Sequence, residues 1–468
     1  MSEEVPDGKE DVHLYKRRWV FLLALTLLQV LSGFSFSCFG QISNFFVSYF
    51  HVTYVQVDWM TLVFDVPPLV LTVPFAWLTY RRYVQIRILT IFCAFALTGA
   101  YASFALSLIH PNLFGLSIIG QALNGLAAQV LMATPSIFGA VWFAENEIGT
   151  AISLNLMGVF AGYGLGVVLP TNLLSLSNTS NTTNNSTVLT GNRNILLEIY
   201  SCSFGICFLI LVLLCIWVTD VPPKPPTVAQ ARKSIEQTNV DSSRFWFQTG
   251  SILTNKTFIM ACIIFGIIFE ATTVEFTMMS QIFKAWAQKT DSQLRYDAMG
   301  GYVICFYSAG SICGTIPAAK LVDKYKNYKV IAICGTLLTF LGSVGVVLGV
   351  LFTNVVSIYV SNVVIGFFTQ VAMVSIYEIV TQHTYPVDET FVTIWLIGIM
   401  TPMGVFYGEI GRVIFQSLGG LAVVIFQAVN LFLSAFFSCF LSPEYRRFEM
   451  EEPKENGNAN NERQSLLH

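Results

Sequence analysis

Apolar residues run along this chain in stretches of about 20 or more, the length a helix needs to cross the hydrocarbon core of a bilayer, and polar segments separate them. Twelve such spans can be placed. In the first half they lie at about Trp19–Val47, Met60–Thr79, Ile86–Ile109, Leu113–Trp142, Gly149–Leu173 and Ile195–Val218. In the second half they lie at about Thr257–Phe283, Gly300–Ala319, Tyr328–Phe352, Val356–Thr381, Phe391–Phe415 and Gly419–Leu441. A polar stretch from Asp220 to Lys256 splits them six and six. The expected organisation is therefore an N-terminal tail (1–18), a six-helix bundle (19–218), a linker (219–256), a second six-helix bundle (257–441) and a C-terminal tail (442–468). Paired bundles of this kind are built for secondary transport.

Composition narrows the class. Of 468 residues 54% are hydrophobic and 11% charged, against roughly 25% charged in soluble domains, so the chain is an all-α membrane protein with the lipid bilayer as its surroundings. A net charge of -3 argues against nucleic acid as a partner, because phosphate binding needs clustered Lys and Arg. Every Lys and Arg except Arg193, Lys284, Lys289, Arg295 and Arg412 falls in the tails or the even-numbered loops. By the positive-inside rule those loops and both termini are expected in the cytosol. The loop Ser175–Asn194 then lies outside, and it carries sequons at Asn178, Asn181, Asn184 and Asn185, for which glycosylation is expected. All ten cysteines fall within spans and no outer loop offers a pair, so disulfide chemistry is not expected. The polar first eighteen residues lead into a full-length span, which reads as its own insertion signal rather than a cleaved leader. In the tail, Glu462, Leu466 and Leu467 have the acidic-x3-Leu-Leu spacing of an endosomal and lysosomal sorting signal, which adaptor proteins would read. The plasma membrane and the endosome or lysosome are both compatible with these features, and the protein is expected to be a monomer.

Small residues four apart mark contact faces between membrane helices. Gly158, Gly162 and Gly166 form such a row in span five, Gly310 and Gly314 in span eight, Gly345 and Gly349 in span nine, and Gly404 and Gly408 in span eleven. Pro67, Pro68, Pro135, Pro170 and Pro402 sit inside spans and permit bends.

An ionised group at mid-membrane costs roughly 2.5–3.5 kcal/mol, so each acid there needs a partner or a proton. Five acids, Asp65, Glu270, Glu275, Glu378 and Glu409, face one base, Arg412. Glu409 and Arg412 are three apart on one helix face and read as a lock at the outer end of span eleven, and Glu378 as a latch at the cytosolic end of span ten. Asp65 and Glu270 are deepest and have no cation nearby in sequence, which makes them the candidates for a cationic solute or a coupled proton; proton coupling is the role expected of Glu270. His13, His51, His110, His383 and His468 all read as loop or tail residues, so no imidazole relay is available in a span. No metal-ligand spacing, phosphate-cradling loop or nucleophile elbow is apparent. Neither an enzyme nor a cofactor is expected.

Several motifs resemble one family. Ala128-Gln129-Val130, Pro135-Ser136 and Ala140-Val141-Trp142-Phe143 look like the fourth-span signature of the feline leukaemia virus subgroup C receptor-related transporters, solute carrier family 49, a branch of the major facilitator superfamily. Tyr15-Lys16-Arg17-Arg18-Trp19, Ile42-Ser43-Asn44, Asp58-Trp59, Glu378 with Thr384-Tyr385-Pro386, and Tyr445-Arg446-Arg447 resemble its other landmarks in order. The linker Val221–Pro226 and the exit Ser442–Arg447 look most like the family's third member. The loop ending Asp323-Lys324-Tyr325-Lys326 is similar to the superfamily's cytosolic gating motif, while Tyr80-Arg81-Arg82 lacks the acid.

The resemblance implies twelve helices in a 6+6 fold and carriage of choline or ethanolamine, with a Trp face in span one and a Gln in each of spans four and eleven. Carried over by position, Gln129 keeps the span-four amide, Phe36 stands at the Trp and Thr401 at about the second Gln. Two of three determinants differ, which points to another organic cation or a proton-coupled neutral solute. Haem and a pyridoxine-like vitamin are the family's other substrates to weigh. Phe36, Asp65, Gln129 and Glu270 are the expected pore residues, with Tyr302 and Tyr307 as aromatic walls. The expected function is secondary active transport of a small organic solute by alternating access; the competing reading is a transport-inactive receptor or sensor that keeps the fold.

Overall fold

The computed structural model describes residues 14–80, 86–143, 145–180, 185–219, 242–290, 296–384 and 387–443. Among them all regular structure is helical: α1 (Arg17–Gln41), α2 (Ser43–Phe50), α3 (Tyr54–Leu62), α4 (Val66–Tyr80), α5 (Ile86–Ser107), α6 (Phe114–Trp142), α7 (Glu145–Ser180), α8 (Asn185–Trp217), α9 (Ser242–Thr254), α10 (Lys256–Thr290), α11 (Tyr296–Tyr325), α12 (Tyr328–Leu351), α13 (Val355–Thr384), α14 (Glu389–Leu418) and α15 (Gly420–Ser438). Among the described residues eleven spans are long and apolar enough to cross a membrane, α3 and α4 counting as one. The pair formed by α9 and α10, bent by 69°, raises the number to up to twelve. Here the near face is the one where α1 begins, expected to be cytosolic, and the far face is the one where it ends. Asn181, Asn184, Arg81, Arg82, Glu462, Leu466 and Leu467 lie outside the described residues, as do the side chains of Asn178, Asn185, Glu270, Glu275 and Asp323.

Three sequence readings need correction. The first apolar run does not form one helix to Val47: α1 stops at Gln41, Ile42 leaves helical geometry, and α2 follows. Twenty-five residues at about 1.5 Å each already cross the hydrocarbon core, and the aromatics of α2 fold back instead, Phe46 lying 5.3 Å from Phe39 and Phe50 lying 5.4 Å from Phe114. The segment 175–194, read as a loop, is largely helical, because α7 runs on to Ser180 and α8 starts at Asn185. His383 belongs not to a loop but to the last turn of α13, buried, its ring nitrogen 3.1 Å from the Ser442 carbonyl. Hydropathy registers none of these, since polar residues at a helix end are compatible with either state.

The glycine rows act as expected. A Cβ at Gly158, Gly162 or Gly166 of α7 would meet the carbonyl oxygens of Thr26, Val30 and Phe34 of α1 at 2.8, 2.3 and 2.3 Å, so α1 and α7 cross in backbone contact. Gly310 and Gly314 of α11 stand in the same relation to Val363 and Phe367 of α13, whereas Gly345 and Gly349 of α12 make room for the side chains of Ser361 and Ile358. One glycine serves conformation rather than packing. Gly419, at φ +85°, turns α14 directly into α15.

Two of the family-like motifs meet in space. Arg18 makes a two-pronged ion pair with Glu147, at 2.8 and 3.0 Å, and lies over the Phe143 ring. Arg17 lies over Trp142, and Trp19 meets Phe143 edge to face. Their job is structural: they tie the start of α1 to the α6–α7 corner at the near face, with cation–π contacts adding to the ion pair.

The two halves touch along two seams. One joins α7 to α11, where a Cβ on Gly164 would lie 3.6 Å from Ser308 and the Cys305 thiol donates to the Gly164 carbonyl. The other joins α3–α4 to α14, with Leu62 against Gly408 and Thr72 against Gly398. At the near end of the second seam the linker supplies a third party. Phe245 of α9 is buried between Tyr80 of one half and Phe391 of the other, at 5.5 and 5.6 Å.

Candidate functional site

The site is set by a break in the second span. Pro67 and Pro68 carry no N–H, so the carbonyl of Phe64 has no helical donor four residues on. The chain answers with a single 3-10 turn, Val63–Asp65, between α3 and α4. The break displaces the backbone towards α6, where Gly125 receives it: a Cβ there would lie 1.9 Å from the Phe64 oxygen. Asp65 sits at this break, 5% exposed.

A cavity lies against it, between the halves. Its walls are Gln29, Ser32 and Gly33 of α1, Phe64, Asp65 and Pro68 at the break, Ala128, Gln129 and Met132 of α6, Val159 and Tyr163 of α7, Phe269 of α10, and Ile397, Met400 and Thr401 of α14. The volume open to solvent is about 40 Å³, room for a few waters. Three expected pore residues, Asp65, Gln129 and Thr401, are thus brought together from three elements. Gln129 donates its amide to the Thr72 hydroxyl at 2.7 Å and to the Pro68 carbonyl at 3.5 Å, which braces the start of α4. The Thr401 hydroxyl donates to the Ile397 carbonyl and keeps its lone pairs for an incoming donor.

Phe36, Tyr302 and Tyr307 do not line the cavity. Phe36 lies two turns beyond Gln29 on α1, packed against Phe64 at 4.7 Å and Tyr163 at 5.4 Å. Phe160 continues the cluster to Tyr163 and to Tyr307 at 6.3 Å. These rings pack together between the halves beside the cavity, whose wall they share through Phe64 and Tyr163. Tyr302 is half-exposed further out, its hydroxyl donating to Asn172.

Arg412 and Glu409 pair as expected. Asp58 on α3, buried, lies within electrostatic reach of this pair on α14. Arg412→Gln is expected to leave Glu409 without its base and loosen the far side. A cysteine placed at Phe36 should then react severalfold faster with a small thiol reagent in purified protein, and an unchanged rate would deny the lock any part in closure. At the near face Glu378 is half-buried close to the end of α13, and Lys324 is exposed over the Tyr325 ring.

Sequence reasoning missed the neutral polar groups. Asn124 of α6 accepts from the Ser32 hydroxyl at 2.7 Å and donates to Ser35 at 2.6 Å, joining α6 to α1 behind the cavity wall. Gln29, 2% exposed, presents an amide nitrogen with no partner. The signal was available: an amide inside an apolar run is costly for the same reason as a charge.

The geometry is of a small chamber with three aromatic rings in its walls and, among the described residues, one carboxyl group. Comparison with known proteins gives it a context. The family model of the Major Facilitator Superfamily matches residues 25–408. The chain is 22% identical over 460 residues to choline/ethanolamine transporter flvcr2a of Danio rerio, covering 97% of this chain and 93% of that one. It is 23% identical over 444 residues to the human choline/ethanolamine transporter FLVCR2, covering 94% and 80%. An uncharacterized MFS-type transporter of Caenorhabditis elegans, C09D4.1, is 23% identical, with 94% and 71% covered. Among solved structures the Escherichia coli fucose:proton symporter FucP superposes with a TM-score of 0.64 at 12% identity, covering 91% of this chain and all of that one.

Proposed function

The chain belongs to the Major Facilitator Superfamily, and from that premise we propose that it moves a small organic cation by alternating access through the cavity at Asp65. The family motifs pointed to the branch of the FLVCR proteins, and the relatives named above are of that branch. The protein is a secondary transporter of a small organic solute. That the solute is cationic is our reading, and so is a position nearest the third member of the branch, which rests on the linker and exit motifs.

One observation carries the cationic reading. Asp65 is buried between the halves, and among the described residues no Lys or Arg forms an ion pair with it. A carboxylate so placed is stabilised by a visiting cation or by a proton. Phe64, Tyr163 and Phe269 in the same walls offer ring faces that suit an ammonium group. The cavity as it stands is too small for a solute of several heavy atoms, so loading requires the halves to part. Glu270, the residue after cavity-lining Phe269, is proposed as the proton-carrying acid.

Counterflow tests the carrier. Proteoliposomes loaded with unlabelled choline or ethanolamine should accumulate the labelled compound transiently above its equilibrium level. Binding without exchange would identify a sensor instead. Exchange of labelled pyridoxine and of no cation would move the reading to a proton-coupled neutral solute.

A further inference from the structure

Six polar side chains line the cavity among the described residues, Tyr163 with its own interactions being one of them, and the hydrogen bonds of the other five are unequal. Gln129 directs its amide nitrogen to Thr72 and Pro68. Ser32 donates to Asn124, and Thr401 to the carbonyl of its own helix. Asp65 has nothing to donate when ionised. Gln29 differs: its side chain is nine-tenths buried or more, it lines the cavity, and its amide nitrogen has no acceptor within reach. Buried donors left without a partner are uncommon in folded proteins and costly where they occur. Other buried amides, Gln121 and Asn155 among them, also have a nitrogen without a partner, but of the described residues that line the cavity Gln29 is the one in this position, where an acceptor can arrive from outside the chain.

We propose that Gln29, and not Gln129, is the hydrogen-bond donor that selects the solute, reading an uncharged oxygen on the same molecule whose cationic group is drawn to Asp65. The inference rests on the carrier reading above and narrows it to an organic cation bearing a hydroxyl, ether or carbonyl oxygen. The division of labour follows from the architecture. The break at Pro67 and Pro68 needs a brace, and Gln129 is committed to it through Thr72. Gln29 stands on α1, which turns this face to the cavity at Gln29, Ser32 and Gly33 and meets no acceptor there. Selection by Gln29 also has a structural economy: α1 packs in backbone contact with α7, so the amide is held by a helix that cannot shift freely.

The experiment compares choline with ethyltrimethylammonium, which differ by the hydroxyl group, on purified full-length protein, with affinity read from ligand-dependent thermal stabilisation. The expected result for the natural chain is a preference for choline of at least about tenfold, because a site built around a donor penalises a ligand that leaves it unmatched. Gln29→Met keeps the length, removes the donor and should bring the two affinities within about twofold of each other. Gln129→Met should retain the preference while lowering thermal stability. Equal affinities in the natural chain, or a preference that survives Gln29→Met and disappears with Gln129→Met, would overturn the assignment and leave the cation carrier standing. No stabilisation by either cation would overturn the cationic reading and this assignment together. The comparison in the natural chain does not depend on whether Gln29→Met folds.

Discussion

Asp65→Asn is expected to lower affinity for an organic cation by at least about thirtyfold and to stop measurable counterflow, while leaving the protein as stable as before or more so. The two effects have one cause. The carboxylate is buried at the α3–α4 break without a basic partner among the described residues, and a charge in that position destabilises the fold by a cost of the order of 2.5–3.5 kcal/mol at mid-membrane. Asn has nearly the same shape and no charge, so the folded state is relieved of that cost. A bound cation loses its counter-charge at the same step, and truncating one partner of a buried charged pair typically costs about 2–5 kcal/mol. A stability gain together with a transport loss is the signature of a charge kept for function. Isothermal binding and counterflow on Asp65→Asn, beside a melting curve, decide it. Transport within twofold of the natural chain would remove Asp65 from the mechanism, and a large fall in melting temperature would make it structural.

The second large effect lies in packing. Gly162→Val is expected to reduce the yield of monodisperse protein severalfold and to lower the melting temperature of what remains. The added Cβ would fall 2.3 Å from the Val30 oxygen, 2.9 Å from the Phe34 nitrogen and 3.0 Å from the Gly33 Cα. These are backbone atoms of α1, which cannot turn aside as a side chain does. Overpacking costs about 1–3 kcal/mol where side chains can adjust, and more is expected where two helices must separate. Displacing α1 also moves Gln29, Ser32 and Gly33 in the cavity and Phe36 beside it, so surviving protein should transport poorly. Gly205→Ala on α8, where nothing lies within 4 Å, is the matched control and should cost nothing measurable. If Gly162→Val expressed and melted like that control, the α1–α7 crossing would not be the rigid contact described above.

The rows of glycines and the unmatched acids were legible for a shared reason. Both are local exceptions within an apolar run, and both have a cost that the bilayer makes large. The site was legible only in part. Asp65, Gln129 and Thr401 do share one cavity, the first found from its charge and the other two from family likeness. Gln29 and Asn124 went unnoticed because neutral amides draw less attention than acids, although burial without a partner is costly for them too. Phe36 and Tyr307 lie outside the lining of this cavity. An aromatic ring can line a cavity or pack beside it, and the difference lies in its neighbours: Phe36 is held by Phe64 and Tyr163, Tyr307 by Phe160.

By itself the sequence determined the all-helical membrane fold, from the roughly 20 residues needed to cross the hydrocarbon core, the family, from its motifs, and several of the helix faces that pack, from the four residues that return a helix to one face. Tertiary structure alone decided which polar groups meet. Gln129 finds Thr72 fifty-seven positions away, Arg18 finds Glu147 at the α6–α7 corner, and the amide nitrogen of Gln29 finds no partner. Helical periodicity fixes the direction of a side chain relative to its own axis, but the partner waiting there is set by how two axes cross, and that crossing is decided by contacts from the whole bundle.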